Sequence, residues 1–303
     1  MPELPEVETM RRGLAAIVGR RIAAVEFPRS RVRPLSIEPR PKALARRVVG
    51  LSIAAVHRRG KRIVIELAAP AHARQGATAI SASTASRGSP RLWLAIEPRM
   101  TGLMLLVDPP TAEHVRMVVT FEGAATASDA SRLRFWDRRG LGTIRRLDDH
   151  GLEAACGSHK HGPDGLVVTS QELAARLADS RRAIKVALLD QRAVAGIGNI
   201  YAAEILLRCG IDPRSRCRRL NREQWRRIAD ETRCVLAEAV DHEGSSIGDE
   251  TYRTADNRVG RFQQRHRVYG REGEPCPQCG TAVVRIVQAQ RATFFCPTCQ
   301  RRA

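Results

Sequence analysis

Cys276-Pro277-Gln278-Cys279 is followed, sixteen residues on, by Cys296-Pro297-Thr298-Cys299. Two such pairs on two tight turns can bring four thiolates to the corners of a tetrahedron, the geometry zinc takes in structural sites. The stretches 283–287 and 293–295 between them are short apolar runs. A β-hairpin held by one structural Zn2+ is therefore expected within residues 266–303. A pair of disulfides is the rival reading. Against it, Cys156, Cys209, Cys217 and Cys234 fall at irregular spacings, as free thiols in a reducing cytosol do. Four thiolates leave zinc no open coordination position, so the metal scaffolds what the hairpin presents. That is Gln288-Ala289-Gln290-Arg291-Ala292-Thr293, which puts Arg291 on the turn or the rising strand as a fixed cation for a phosphate.

Upstream of the ribbon the apolar spacing is helical. Segments 171–177, 183–189, 200–209 and 222–240 carry apolar residues three and four apart, which predicts a compact helical unit over 165–265. Ala195-Gly196-Ile197-Gly198-Asn199 precedes one of these helices. Two glycines let the backbone approach a ligand, and Asn199 can cap the helix while neighbouring amides face an anion. A plain tight turn reads the same residues equally well. Residues 150–164 are polar and rich in Gly and His, which suits a hinge.

The first half of the chain is β-rich. Runs at 22–25, 48–56, 62–67, 92–96, 103–107, 115–121, 133–136 and 142–147 are separated by turn residues, which predicts an antiparallel β-sandwich over 1–149. The connections 68–91 and 122–132 lack an apolar period and read as inserted surface loops. A chain of 303 residues exceeds what one core usually spans, so two domains and an α+β class are expected. No apolar run approaches the 18 residues of a membrane span. The start Met1-Pro2-Glu3-Leu4-Pro5-Glu6 has neither a basic nor an apolar leader region. A cytoplasmic protein is expected.

That start can do chemistry. Val7, Met10, Leu14 and Ile17 recur at helical spacing up to Gly19, so a helix is expected from Pro5 to about residue 18. Methionine before a small residue is normally removed, which would leave Pro2 as a free secondary amine at a helix N-terminus. Such an amine can attack an anomeric carbon and form an iminium, an electron sink that opens elimination routes. Glu3 is placed to shuttle the proton. An exposed terminus without a role is the competing reading.

Charge points to the partner. The chain has 51 Lys+Arg against 32 Asp+Glu, a net charge of +19, and such a field attracts polyanions. Only four of those 51 are lysines, Lys42, Lys61, Lys160 and Lys185. A genome-wide taste for arginine could therefore inflate the count, and the same drift makes Lys61 and Lys185 conspicuous.

Pro2-Glu3-Leu4-Pro5-Glu6-Val7-Glu8, the turn Gly196-Ile197-Gly198-Asn199-Ile200-Tyr201-Ala202, and the ribbon with Gln290-Arg291-Ala292-Thr293 occur here in one order. Together they resemble the bacterial formamidopyrimidine-DNA glycosylases, from Pro2 to Gln300. The resemblance implies an N-terminal antiparallel β-sandwich with flanking helices, then a helix-two-turns-helix unit and a zinc ribbon. It implies a monomer that binds double-stranded DNA containing oxidised purines in the cleft between its domains. Pro2 would form the Schiff base with the damaged nucleotide's sugar, and Glu3 would assist base departure. Lys61 would donate a proton in β-elimination, and Arg291 would serve δ-elimination. Lys185 and Asn199 would grip phosphates, with Arg181 and His114 as further DNA contacts.

An enzyme that works on a base inside duplex DNA must extrude it and fill the gap. Met100 resembles the side chain that fills it and Arg139 the one facing the orphaned cytosine, although core packing and a solvated charge are their ordinary readings. This chain departs from the family at both places. Glu97-Pro98-Arg99 replaces His-Leu-Gly before Met100. Asp137-Arg138-Arg139-Gly140-Leu141-Gly142 replaces Asp-Pro-Arg-Arg-Phe-Gly, which puts Leu141 where an aromatic wedge is common and leaves the opposite-base preference open. Leu4 resembles the purine-selective branch rather than the pyrimidine-selective one. A catalytically silent zinc-ribbon DNA-binding protein is the alternative from another class.

Overall fold

The computed structural model describes residues 2–31, 33–69, 91–123, 131–248 and 252–303. The inserted loops expected at 68–91 and 122–132 fall mostly outside the described residues. The chain forms two compact units, one of Pro2, 7–155 and 252–258, the other of 3–6, 156–248 and 259–303.

Helix α1 (Leu4–Gly13), which lies in the first unit from Val7 on, buries Val7 and Met10 and continues as a 3-10 turn, Leu14–Ile17. The single helix expected to residue 18 thus tightens at Gly13, where an added Cβ would lie 2.5 Å from Ala255. Then come β1 (Ile22–Glu26), β2 (Ser36–Glu38), α2 (Pro41–Val48), β3 (Ser52–Arg59), β4 (Arg62–Ala68), β5 (Leu92–Glu97), β6 (Gly102–Leu105), β7 (Val115–Phe121), β8 (Arg132–Asp137), β9 (Thr143–Leu147) and α3 (Asp149–Cys156).

The strands make a sheet of order β2-β9-β5-β4-β3 and a sheet of order β1-β7-β8-β6. Strict alternation sets their faces. Ile63, Ile65 and Leu67 point into a core shared with Leu103, Leu105, Phe135 and α1. Val64, between them, joins Trp93, Ala95 and Leu147 on the other face.

Three expectations need correction. Residues 48–56 are not one strand: α2 ends at Val48, Gly50 turns the chain at φ +83°, and the strand begins at Ser52. The sandwich is antiparallel as expected except at one edge, where the three-residue strand β2 runs parallel to β9. The supposed hinge begins with helix α3, whose Leu152 and Ala155, three apart, cover the Val64–Trp93 face. Trp93 Nε1 also donates to Asp149 Oδ1 at 2.8 Å.

The second unit contains α4 (Ser170–Leu177), α5 (Ile184–Leu188), α6 (Asn199–Cys209), α7 (Arg222–Asp241), β10 (Val284–Gln288) and β11 (Arg291–Phe295). Reciprocal capping boxes start α4 (Thr169 with Glu172) and α7 (Asn221 with Gln224), each satisfying two otherwise orphaned amides. Gly210, at φ +66°, ends α6 in the left-handed region. The buried helix α6 packs Ile205 and Leu206 against Trp225 and Leu236 of α7 and Ala203 and Leu207 against Val268 and Val283 of the ribbon. Among the described residues, no helix is long and apolar enough to cross a membrane.

Candidate active site and zinc ribbon

Pro2 is buried, and the next residue is mounted with care. Glu3 precedes the first turn of α1. Its backbone N–H donates to Glu6 Oε2 at 2.8 Å, the half of a capping box in which the acid at the third helical position reaches back. Glu6 is fully buried. Its Oε1 also accepts the Tyr201 hydroxyl and the Ser245 N–H, the latter at 2.7 Å. Burial, and then the charge of Glu3, push the Glu6 carboxyl above the ordinary carboxylate range. The chain continues through the Ser245 hydroxyl to His266 Nε2 at 3.0 Å, and burial lowers that imidazole to about 4. Sequence reasoning passed over Glu6 as a site residue. Its spacing of three from Glu3 was the available signal.

The Glu3 side chain lies at the start of α6. Its Oε1 accepts the Ile200 N–H at 3.0 Å, and the helix N-terminus stabilises the negative charge. Glu3 Oε2 is buried and makes no hydrogen bond among the described residues. A Cβ on Gly198 would lie 2.2 Å from the Glu3 carboxyl carbon, so this glycine is needed for the approach itself. The expected Asn199 cap is not formed. Gly198 occupies the capping position without a side-chain bond, and Asn199 sits one residue further on, where its side chain serves another partner.

That partner is Lys185. The side chain is wholly buried, and its ammonium donates to Asn199 Oδ1, to Thr293 Oγ1 at 2.9 Å and to the Ala292 carbonyl at 3.2 Å. All three of its N–H donors are thus used inside the protein. Asn199 Nδ2 donates to the same Ala292 carbonyl at 3.0 Å. Burial, and then the nearby Arg291 charge, lower the Lys185 amine to about 8. Thr293, which sequence reasoning quoted without a role, belongs to this cluster.

Arg291 opens β11 and is exposed. The two-residue turn before it, Ala289-Gln290, has φ values of +47° and +60°. A tight hairpin needs positive φ at both positions, and non-glycine residues hold it only at a cost of about 1 kcal/mol or more each. Arg181 is exposed just before α5.

Four cysteines close the ribbon. The Sγ atoms of Cys276, Cys279, Cys296 and Cys299 lie within 4.8 Å of one another, with Cys276 to Cys299 at 3.9 Å and Cys279 to Cys296 at 3.4 Å. Zinc–sulfur bonds of about 2.3 Å in a tetrahedron place sulfurs about 3.8 Å apart. The donor set and the spacing both fit one structural zinc ion.

The remaining predicted residues belong to the first unit. Lys61 follows Gly60, at φ +56°, in the turn between β3 and β4. Arg58 steadies that turn by donating from Nη1 to the Gly60 carbonyl at 3.1 Å and from Nε to Glu8 Oε2 at 3.0 Å. Met100 is 37% exposed, a large apolar side chain left outside the core. Arg139 is exposed and Leu141 half-buried. His114 ends a 3-10 turn with its ring edge-on to Trp136 at 5.4 Å, and its Nδ1 is buried with no hydrogen-bond partner among the described residues.

Comparison with known proteins agrees along the whole chain. Residues 1–144 match the formamidopyrimidine-DNA glycosylase N-terminal domain, 162–251 the H2TH domain of the same glycosylases, and 273–302 the zinc finger found in Fpg and IleRS. A formamidopyrimidine-DNA glycosylase of Chloroflexus aggregans is 40% identical over 99% of this chain and 98% of its own length. The crystal structure of the MutM (Fpg) protein from Thermus thermophilus superposes with a TM-score of 0.78 at 35% identity, covering 100% of both chains. A Lactococcus lactis Fpg mutant, crystallised in complex with DNA containing Fapy-dG, gives 0.80 at 29% identity over 99% of this chain and 100% of its own. With an N-terminal domain, a helical domain and a zinc finger of one kind matched in order, the chain belongs to the formamidopyrimidine-DNA glycosylase family.

Proposed function

We propose that this chain is a bifunctional DNA glycosylase and abasic-site lyase of base excision repair, acting as a cytoplasmic monomer on duplex DNA that carries oxidised purines such as 8-oxoguanine. The neutral Pro2 nitrogen attacks C1′ of the damaged nucleotide. The bond to the base breaks, the base leaves with a proton, and the sugar ring opens as the iminium forms. Loss of the C2′ proton then expels the 3′ phosphate, and a second elimination expels the 5′ phosphate. Lys61 serves the first elimination and Arg291 the second.

One observation carries this reading. Glu3 has one oxygen fixed by the Ile200 amide and the other buried with no hydrogen-bond partner among the described residues, on the residue bonded to Pro2. A buried carboxylate oxygen left unpaired is costly, and a proton passed to and from the reacting sugar gives it a use. The family's DNA complexes support duplex DNA as the partner. Asn199, Lys185 and Arg181 serve the phosphates beside the lesion, Lys185 by holding Asn199 in place. Met100, Arg139 and Leu141 replace the extruded base, and His114 is a further DNA contact. Zinc, held by the four cysteines, fixes the hairpin that carries Arg291.

Borohydride reduction during turnover tests this directly. Protein that begins at Pro2 is expected to form a covalent adduct with 8-oxoguanine duplex, mapping to the N-terminal peptide. The Glu3→Gln variant should lose at least about 10²-fold in base excision, yet still be trapped on a preformed abasic site. Absence of any adduct with the trimmed, zinc-loaded protein overturns the reading, as does undiminished excision by Glu3→Gln.

A further inference from the structure

Asp137 is buried completely where β8 ends. Gly102, the first residue of β6, pairs with it. The loops leaving this end of the strand pair, 98–101 and 138–142, carry Met100, Arg139 and Leu141. The Asp137 carboxylate knits them together. Oδ1 accepts the Thr101 hydroxyl and the Arg139 N–H, the latter at 3.1 Å, and Oδ2 accepts the Gly142 N–H at 2.8 Å. Thr101 Oγ1 accepts the Arg139 N–H in turn, at 3.0 Å. Arg116, also buried, donates from Nε to the Asp137 carbonyl at 2.8 Å and sets a positive charge near the carboxylate.

Neither loop has slack. A Cβ on Gly102 would lie 2.5 Å from the Pro98 carbonyl oxygen, and one on Gly142 2.6 Å from the Phe135 ring. Gly140, at φ +63°, would meet the Arg33 carbonyl oxygen at 2.2 Å. A second arginine at that position is therefore excluded by the backbone as well as by space.

We propose that Asp137 is a positioning residue that fastens the two loops into one rigid edge, so that Met100 and Arg139 enter the duplex as a unit. The inference rests on the glycosylase reading above and adds a residue that never touches DNA. Three donors converge on the two carboxylate oxygens, each of which only accepts. An amide in its place turns an NH2 group toward at least one of those donors.

The test separates base extrusion from chemistry. Asp137→Asn and Thr101→Val are compared with the wild type on two substrates: duplex with 8-oxoguanine beside 2-aminopurine, and a single-stranded oligonucleotide with a preformed abasic site. Both variants are expected to slow duplex excision and the 2-aminopurine fluorescence rise about 100-fold, the usual scale for a misplaced group. Cutting of the single strand should stay within about twofold of wild type, and Thr101→Ser should restore duplex excision. If Asp137→Asn does not fold, Thr101→Val and its serine rescue decide alone. Wild-type duplex rates in the variants overturn the proposal, as does an equal loss on both substrates. A wild-type protein inactive on either DNA strikes instead at the glycosylase reading.

Discussion

At the scale of single residues, Lys185 shows how burial sets chemistry. Its free amine titrates near 10.5, and in the fold near 8. Between those values the unfolded chain holds a proton that the folded chain lacks, so stability rises with pH across that window and is unaffected below it. Thr293 can turn its hydroxyl to donate once the amine is neutral, so the cluster survives deprotonation. Lys185→Met has no such group. The stability gap between wild type and Lys185→Met should therefore widen by about 2 kcal/mol from pH 7 to 9.5. Urea titrations at the two pH values measure it, and a constant gap contradicts the buried, shifted amine. The sequence marked Lys185 as an unusual lysine but not its partners. Asn199 is 14 residues away and Thr293 is 108, distances that no local pattern reports. Pro2 and Glu3 were singled out as candidates because the features that mark them are local: a residue that becomes an amine once Met1 is removed, an acid and a helix start follow one another directly.

At the scale of elements, the zinc ribbon is too small to fold around its own apolar side chains. Its core is Val268, Val283, Cys276 and Cys296 packed on Ala203 and Leu207 of α6. Glu204 of the same helix accepts the N–H groups of Arg267, Val268 and Tyr269 at 3.0, 3.1 and 2.9 Å, tying down the segment that enters the ribbon. Metal and helix together hold the strained Ala289-Gln290 turn. Cys296→Ser should thus release zinc, free the hairpin from Lys185, and weaken DNA binding at least about 10-fold, with the sandwich unit still folded. Metal content by mass spectrometry checks the release of zinc, DNA titration the loss of affinity, and far-ultraviolet circular dichroism the folded sandwich. Unchanged affinity after zinc loss removes the hairpin from the binding surface. The ribbon and α4 to α7 were readable because cysteine spacing and 3.6-residue periodicity are strong signals. α2 and α3 were not: each is eight residues long. α2 buries only Leu44 and Val48, and in α3 polar residues hide the Leu152–Ala155 pair.

At the scale of the whole molecule, the +19 charge has two explanations that make different predictions. Many arginines are committed to carboxylates, as Arg11, Arg12 and Arg58 are to Glu8 and Arg226 and Arg233 to Asp230. A compositional drift toward arginine produces such pairs freely without building a DNA surface. If instead Lys61, Arg139, Arg181 and Arg291 each enter the field of the phosphate backbone when duplex binds, whatever further role each has there, each displaces about one counterion. The plot of log affinity against log salt should then fall with a slope of about −3.6 or steeper. Between 50 and 200 mM salt that is about two orders of magnitude in affinity. Arg291→Ala should reduce the slope by about 0.9, because a phosphate contact contributes salt dependence as well as affinity. Fluorescence anisotropy of a labelled undamaged duplex over this salt range gives both numbers. A response flatter than a slope of −1 assigns the charge to composition, leaving affinity to groups that do not displace ions. An unaltered slope in Arg291→Ala removes the hairpin cation from the phosphate path without touching the chemistry proposed for Pro2 and Glu3.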